Sequence, residues 1–179
     1  PKNYHYRSAN TKDVIDGMKD LVNKTKKISG ALKNKKILDI GCNDGSLLDI
    51  FKRYGCKTYG IEPTGAALEA IKKKHNVYNA YFDTRISKKL INKFGSFDII
   101  TFTNVFAHIE NFNELIKSLK ILIKPNTLLV IENHYFGEVL KKNQFDTFYH
   151  EHPRTYSLNS FNKISQLLNM HINDFNFVK

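Results

Sequence analysis

The chain has 179 residues, enough for one domain with a proper core. Its 41% hydrophobic and 12% aromatic content is globular, and no stretch approaches the roughly 18 apolar residues of a membrane span, so a cytoplasmic protein without a membrane partner is expected. The formal charge of +11 raises the question of nucleic acid, but the 28 Lys and Arg are spread over the polar sides of the expected helices, which suits a solvated surface and a small anionic substrate better.

The first residues, PKNYHYRSAN, are polar and aromatic. Asn10 or Thr11 is placed to cap a helix in which Val14, Ile15, Met18, Leu21 and Val22 recur at helical spacing. From Lys36 the chain alternates: a strand to Ile40, a helix from Ser46 to Tyr54, a strand over Thr58–Ile61 and a helix from Ala66 to Lys74. Then come a strand over Val77–Phe82, a helix Ser87–Phe94, a strand Phe97–Thr101, a helix Phe112–Ile123 and a strand Leu128–Glu132. Strand and helix in strict alternation mean crossover connections, hence an α/β fold with a mostly parallel, Rossmann-like sheet covered by helices on both faces. After a segment without regular pattern, a helix from Ser157 carries Leu158, Phe161, Ile164, Leu167 and Leu168, and a last strand is expected over Ile172–Val178.

The stretch KILDIGCNDGSLLDIF, from Lys36 to Phe51, organises the rest. A buried strand interrupted by Asp39 runs into a turn containing Gly41, Cys42, Asn43 and Gly45, and then into a helix start. Glycine suits a sharp turn where a ligand approaches the backbone, with the first free helix amides facing it. The second strand ends in Glu62 and Pro63, Glu62 lying 23 residues on from Asp39, where a carboxylate can accept both hydroxyl hydrogens of a ribose. An adenosine-bearing ligand is therefore expected. NAD is the rival, although the spacing is not G-x-G-x-x-G and the phosphate-binding lysine of a P-loop is missing. Cys42 and Cys56 are too few for a disulfide framework and are read as reduced.

This pair of motifs resembles motifs I and II of the class I S-adenosylmethionine (SAM) dependent methyltransferases. Residues 133–156 add a crowd of reactive groups, among them His134, Tyr135, Tyr149, His150, Glu151 and His152. With ILDIGCNDGSLL, GIEPTGAA, TNVFAHI and NQFDTFYHEHPRTYSL, the chain resembles the sugar C-methyltransferases, which methylate nucleotide-linked keto-deoxysugars. The resemblance implies SAM as cofactor, converted to S-adenosylhomocysteine (SAH), and a sugar- or capsule-polysaccharide pathway. It implies Tyr149, Glu151 and His152 as the catalytic cluster with His152 the base, Asn104 and Val105 on the methionine side of SAM, and Asp83 within reach of the adenine amino group. Tyr6 and Ser8 would belong to a lid within residues 1–30, and His134, Tyr135 and His150 would meet the substrate. Residues 36–132 then form the cofactor core, 133–156 the active-site segment and 157–179 the last helix and strand of a single domain.

Two departures from the resemblance stand out: the family's amino-terminal zinc domain is missing, and the chain stops before a seventh strand, so a fragment of a longer enzyme is expected. The former, with the basic surface, keeps open O-methylation of a phosphate or phosphoramidate group. A histidine with pKa near neutrality, oriented by a carboxylate, suits proton removal from an acceptor carbon. A metal role for His150, Glu151 and His152 is weighed and set aside, since H-E-x-x-H is not present, and His108 is read as structural. A more distant rival is an RNA-binding module on the same fold, although ordered aromatic platforms are not apparent. No oligomeric state is implied.

Overall fold

The computed structural model describes residues 12–143 and 153–177. Tyr6, Ser8, Tyr149, His150, Glu151 and His152 lie outside these residues. The five strands β1 (Lys36–Ile40), β2 (Lys57–Ile61), β3 (Asn76–Tyr78), β4 (Ile99–Thr103) and β5 (Leu128–Glu132) form one sheet. Its order is β3-β2-β1-β4-β5, and every pair is parallel. Parallel strands need covering on both faces, and the burial shows it: in β1, β2 and β4 all but one terminal residue is buried, polar Asp39, Thr58 and Thr101 included.

Seven α-helices do the covering among the described residues. On one face lie α1 (Lys12–Ser29), α2 (Ser46–Arg53) and α3 (Ala67–Lys72), packing Met18, Leu21, Val22, Leu48, Phe51 and Ala70 against Ile37 and Ile99. The other face holds α4 (Thr84–Phe94), α5 (Phe112–Leu122) and α7 (Leu158–Leu167), whose Leu90, Leu119 and Ile164 join Leu38, Ile40, Ile100 and Phe102. A short α6 (Phe136–Lys141) follows β5. No helix among the described residues is long and apolar enough to cross a membrane.

The chain runs outward from β1 to β3 and then returns to place β4 on the other side of β1. At that reversal the connections leave the carboxyl ends of β1 and β4 in opposite directions and open a crevice between them. Register carries Asp39 of β1 opposite both Gly60 of β2 and Thr101 of β4.

Several expected boundaries shift. The fourth helix begins at Thr84 rather than Ser87, because the Asp83 carboxylate accepts the Ile86 N–H at 2.7 Å and caps it. The third strand spans only Asn76–Tyr78, and the fourth runs two residues further along the chain than expected. The short helix α6 was not expected, since Gly137 weakens its pattern. The last strand, expected over Ile172–Val178, does not form in the described residues 171–177, which are exposed. There the alternating Phe175 and Phe177 rings meet Tyr135 edge-on, each with a centroid separation of 5.5 Å, instead of pairing with a sheet edge. The edge strand β5, with β4 as its one neighbour among the described residues, is only half buried along its length.

Candidate functional site

The loop after β1 is shaped by what lies beneath it. Gly41, Asn43 and Gly45 all have positive φ, at 78°, 49° and 80°, a region open to glycine and tolerated by asparagine. A Cβ on Gly41 would run into the Val105 side chain, and one on Gly45 would come within 2.9 Å of both Ala70 and His75. The two glycines are thus required by close packing of the loop on the protein itself, a reason that the sequence reading had assigned to a ligand. Gly60, opposite Asp39 in β2, likewise leaves room for the buried Cys42 side chain.

Every backbone N–H from Gly41 to Ser46 is already used. Gly41 and Cys42 donate to the Ile61 carbonyl at 2.8 and 3.1 Å, and Gly45 to the Cys42 carbonyl at 2.9 Å. Asn43 donates to Glu62 Oε2 at 3.0 Å, Asp44 to Asn43 Oδ1 at 2.8 Å, and Ser46 to Asp44 Oδ1 at 3.0 Å. The loop amides from Gly41 to Ser46 are therefore committed within the protein and do not form the diphosphate cradle that NAD requires.

What the loop does offer is negative charge. Asp39, Asp44 and Glu62 are all buried around Cys42. Burial, followed by the charges of Asp39, Glu62 and Asp44, pushes the Cys42 thiol well above its ordinary pKa. Asp39 itself is pushed up to about 7, chiefly by burial and further by Glu62, against the opposing hydrogen bond from Thr101 Oγ1 at 2.7 Å. The Glu62 carboxylate receives Asn43 N–H on Oε2 and Thr64 N–H at 2.8 Å on Oε1, and each oxygen keeps a lone pair for a further donor. Asn79 ties the same corner together, its amide donating to the carbonyls of Glu62 and Thr64, each at 2.8 Å. Pro63 sits half-buried between these two residues.

On the β4 side of the crevice, Asn104 takes a positive φ of 54° and donates its N–H to the Glu132 carbonyl at 2.9 Å. Val105 follows, and its side chain lies against Gly41. Residues 41–45, Glu62, Asn104 and Val105 are thereby brought to one edge of the sheet. The donor set fits SAM: a carboxylate with spare acceptor capacity for a ribose, and an acidic, amide-poor loop for a ligand whose sulfonium and ammonium are both cationic.

A methyltransferase-domain family matches residues 10–172. The chain belongs to that family. It is a class I SAM-dependent methyltransferase domain. It is 28% identical over 158 residues to the C-methyltransferase NovU of Streptomyces niveus, covering 88% of this chain and 38% of that protein. It is 32% identical over 109 residues to a ubiquinone biosynthesis O-methyltransferase of Actinobacillus pleuropneumoniae, covering 56% of this chain and 46% of the other. The chain thus spans less than half the length of these relatives. Among solved structures, a SAM-dependent methyltransferase from Archaeoglobus fulgidus superposes with a TM-score of 0.65 at 20% identity, covering 84% of this chain and 68% of that one. The plantazolicin methyltransferase BpumL, solved with SAH, gives 0.64 at 16% identity, covering 87% and 63%.

Other expected site residues of the methyltransferase domain sit elsewhere. Asp83 is committed to capping α4 and lies 3.5 Å from Arg85. His134 is exposed beyond the end of β5, and Tyr135 caps the start of α6, its backbone bridged to Tyr156 and its ring in edge-on contact with Phe175 and Phe177. Together with Asn104 they line a cleft of about 1340 Å³ that runs along β5 between α1 and α7. Arg154 donates to the Ile109 carbonyl at 2.8 Å and stacks its guanidinium over Phe112 at 5.9 Å. The chain therefore leaves the described region at Pro153 beside the loop that follows β4. Thr101 and Asn79, which hold Asp39 and the Glu62 corner, were not expected; their polarity in or beside apolar strand ends was the available signal.

Proposed function

We propose that this chain binds SAM across the carboxyl ends of β1, β2 and β4 and methylates a small phosphorylated or nucleotide-activated precursor of a surface polysaccharide, as a sugar C-methyltransferase. The observation that carries the acceptor class is the reach of the similarity: the C-methyltransferase relative aligns over 88% of the chain, the O-methyltransferase relatives over 56 to 64%. Glu62 accepts the ribose hydroxyl hydrogens, the acidic loop with Asp39, Asp44 and Cys42 faces the cationic half, and Asn104 and Val105 bound the methionine side. SAM supplies a methyl group on a sulfonium, an electrophile that needs an acceptor held in line with the S–C bond.

The chain's own work is then to hold that acceptor and to move one proton. His152, oriented by Glu151, takes the proton from the carbon beside the sugar ketone, and Tyr149 donates a hydrogen bond to the ketone oxygen, where charge develops. His134, Tyr135 and His150 contact the anionic part of the substrate, and Tyr6 and Ser8 cover the site. The basic surface favours one competing reading, O-methylation of a phosphate or phosphoramidate group, in which no base is needed.

Incubation with methyl-labelled SAM, RNA and a panel of nucleotide-linked keto-sugars and small phosphorylated metabolites tests the proposal. Label on a carbon of a nucleotide-linked sugar is the expected result. Label on a phosphate oxygen would transfer the assignment to the competing reading, and label in RNA would overturn both.

A further inference from the structure

The glycine loop rests on a buried histidine from a different part of the chain. His75, immediately before β3, has a side chain with no solvent exposure. Its Nδ1 lies 2.8 Å from Thr58 Oγ1 of β2, and its Nε2 lies 3.1 Å from Asp49 Oδ1 of α2. Asp49 can only accept, so Nε2 carries the proton and Nδ1 receives the Thr58 hydroxyl, and one neutral tautomer satisfies both partners. The edge of the same ring fills the space beside Gly45, where its Cδ2 stands 2.9 Å from the position of a Cβ. Asp49 in turn donates its N–H to the Gly45 carbonyl at 2.9 Å, so ring, helix start and loop form a closed unit.

We propose that His75 is a positioning residue for the cofactor: a rigid, neutral strut between β2 and α2 that fixes the height of Gly45 and thereby the shape of the loop that holds SAM. The proposal rests on the reading that residues 41–45 face the cofactor. Three features carry it. Both ring nitrogens are engaged, to two different elements. The ring touches the loop at its one unsubstituted face, and its bond to Asp49 sits in the first turn of the helix that the loop begins. A side chain that only filled space would need none of these bonds, since a buried polar group is neutral or costly unless paired.

Burial holds the ring in its neutral form, lowering its pKa. The charged groups facing it are Asp49, which raises the pKa, and Lys52 of α2 and Lys73 at the end of α3, which lower it further. From β2 it faces the uncharged Thr58. A second proton would go to Nδ1, reverse the Thr58 hydroxyl from donor to acceptor and place a buried cation beside Lys52 and Lys73, so the strut loosens only at a pH below the ordinary histidine value near 6.5.

The test is calorimetric titration of the full chain with SAH, alongside circular dichroism, for wild type, His75→Phe, His75→Gln, His75→Asn and Glu62→Ala. His75→Phe keeps the ring and loses both bonds, and its SAH affinity should fall about tenfold, as for a buried partner left unpaired. His75→Gln reaches the Asp49 side and should recover most of the affinity; His75→Asn reaches only the Thr58 side and should not. Wild-type affinity should weaken at acid pH, below the ordinary histidine value, and that of His75→Gln should not. A folded His75→Phe with wild-type affinity, or equal affinity for the Gln and Asn variants, overturns the proposal. The latter comparison decides the matter where the Phe variant does not fold. Unchanged affinity in Glu62→Ala would instead show that the loop was wrongly assigned to the cofactor, whatever His75 does.

Discussion

The carboxylate of Glu62 accepts the N–H of Asn43 at 3.0 Å, which makes the end of β2 and the loop after β1 a single unit. A residue proposed to hold a ribose therefore also holds the loop proposed to face the other half of the cofactor. Removing it should act twice. In Glu62→Ala the Asn43 and Thr64 amides lose their acceptor, the melting temperature should drop, and SAH binding should weaken by about 1.5 to 3 kcal/mol, the range for bonds to a charged group. Calorimetry finding wild-type affinity would remove Glu62 from the site.

Gly41 offers a second lever, because its substitution fails for two separable reasons. The left-handed backbone costs an alanine about 1 to 2 kcal/mol, and the added Cβ meets Val105 besides. Gly41→Ala should lower stability and abolish SAH binding at ordinary concentrations. Pairing it with Val105→Ala should relieve the steric part and leave the backbone part, so the double variant should be more stable than Gly41→Ala alone. Strict additivity of the two losses in denaturant unfolding would contradict the packing described here.

The parts of the molecule that could be read from sequence are those whose physics is local. The strand, turn and helix around Gly41 and Gly45 announce themselves within sixteen residues, and the alternation from Lys36 to Glu132 implied the parallel sheet that forms. The helix α4 cap was missed by three residues because Asp83 had been reserved for a ligand. Residues 171–177 have the composition of a strand, yet a strand also needs a neighbour, and Phe175 and Phe177 find Tyr135 instead. The role of His75 is hidden for a similar reason: its partners lie 17 and 26 residues away, and no spacing rule connects them. The same distance between residues hides Thr101 as the partner of Asp39, 62 positions apart.

Asp39 makes a prediction about pH. Its carboxyl is raised from an ordinary 3.8 to about 7 in the folded chain, chiefly by burial. Between these values the folded state binds a proton that the unfolded state has released, so this group's contribution to stability is present below pH 4 and is lost as pH rises towards 7. Asp39→Asn keeps an oxygen for Thr101 and removes the titration. The stability of Asp39→Asn relative to wild type, from urea unfolding, should therefore grow from pH 4 to pH 7 and level off above. A difference that stays constant over that range would mean that Asp39 is ionised throughout.

The acceptor atom decides what His152 must do. Carbon methylation beside a ketone requires a C–H bond to be broken, and a positioned base contributes about 10² to 10⁴-fold to such a step. On the proposed reading, His152→Ala should lose that factor in kcat, and wild-type activity should fall as pH drops through the histidine pKa. An already ionised phosphate oxygen needs no base, so there the same substitution should change KM instead, and the pH profile should follow the substrate's own ionisation. The two outcomes separate without methyl transfer at all. In deuterated water, with the keto-sugar and SAH in place of SAM, the enzyme should exchange the hydrogen at the acceptor carbon, and His152→Ala should not. Mass spectrometry of the recovered sugar reads this directly, and an unexchanged carbon from an enzyme that still forms methylated product with SAM would rule out the carbon acceptor.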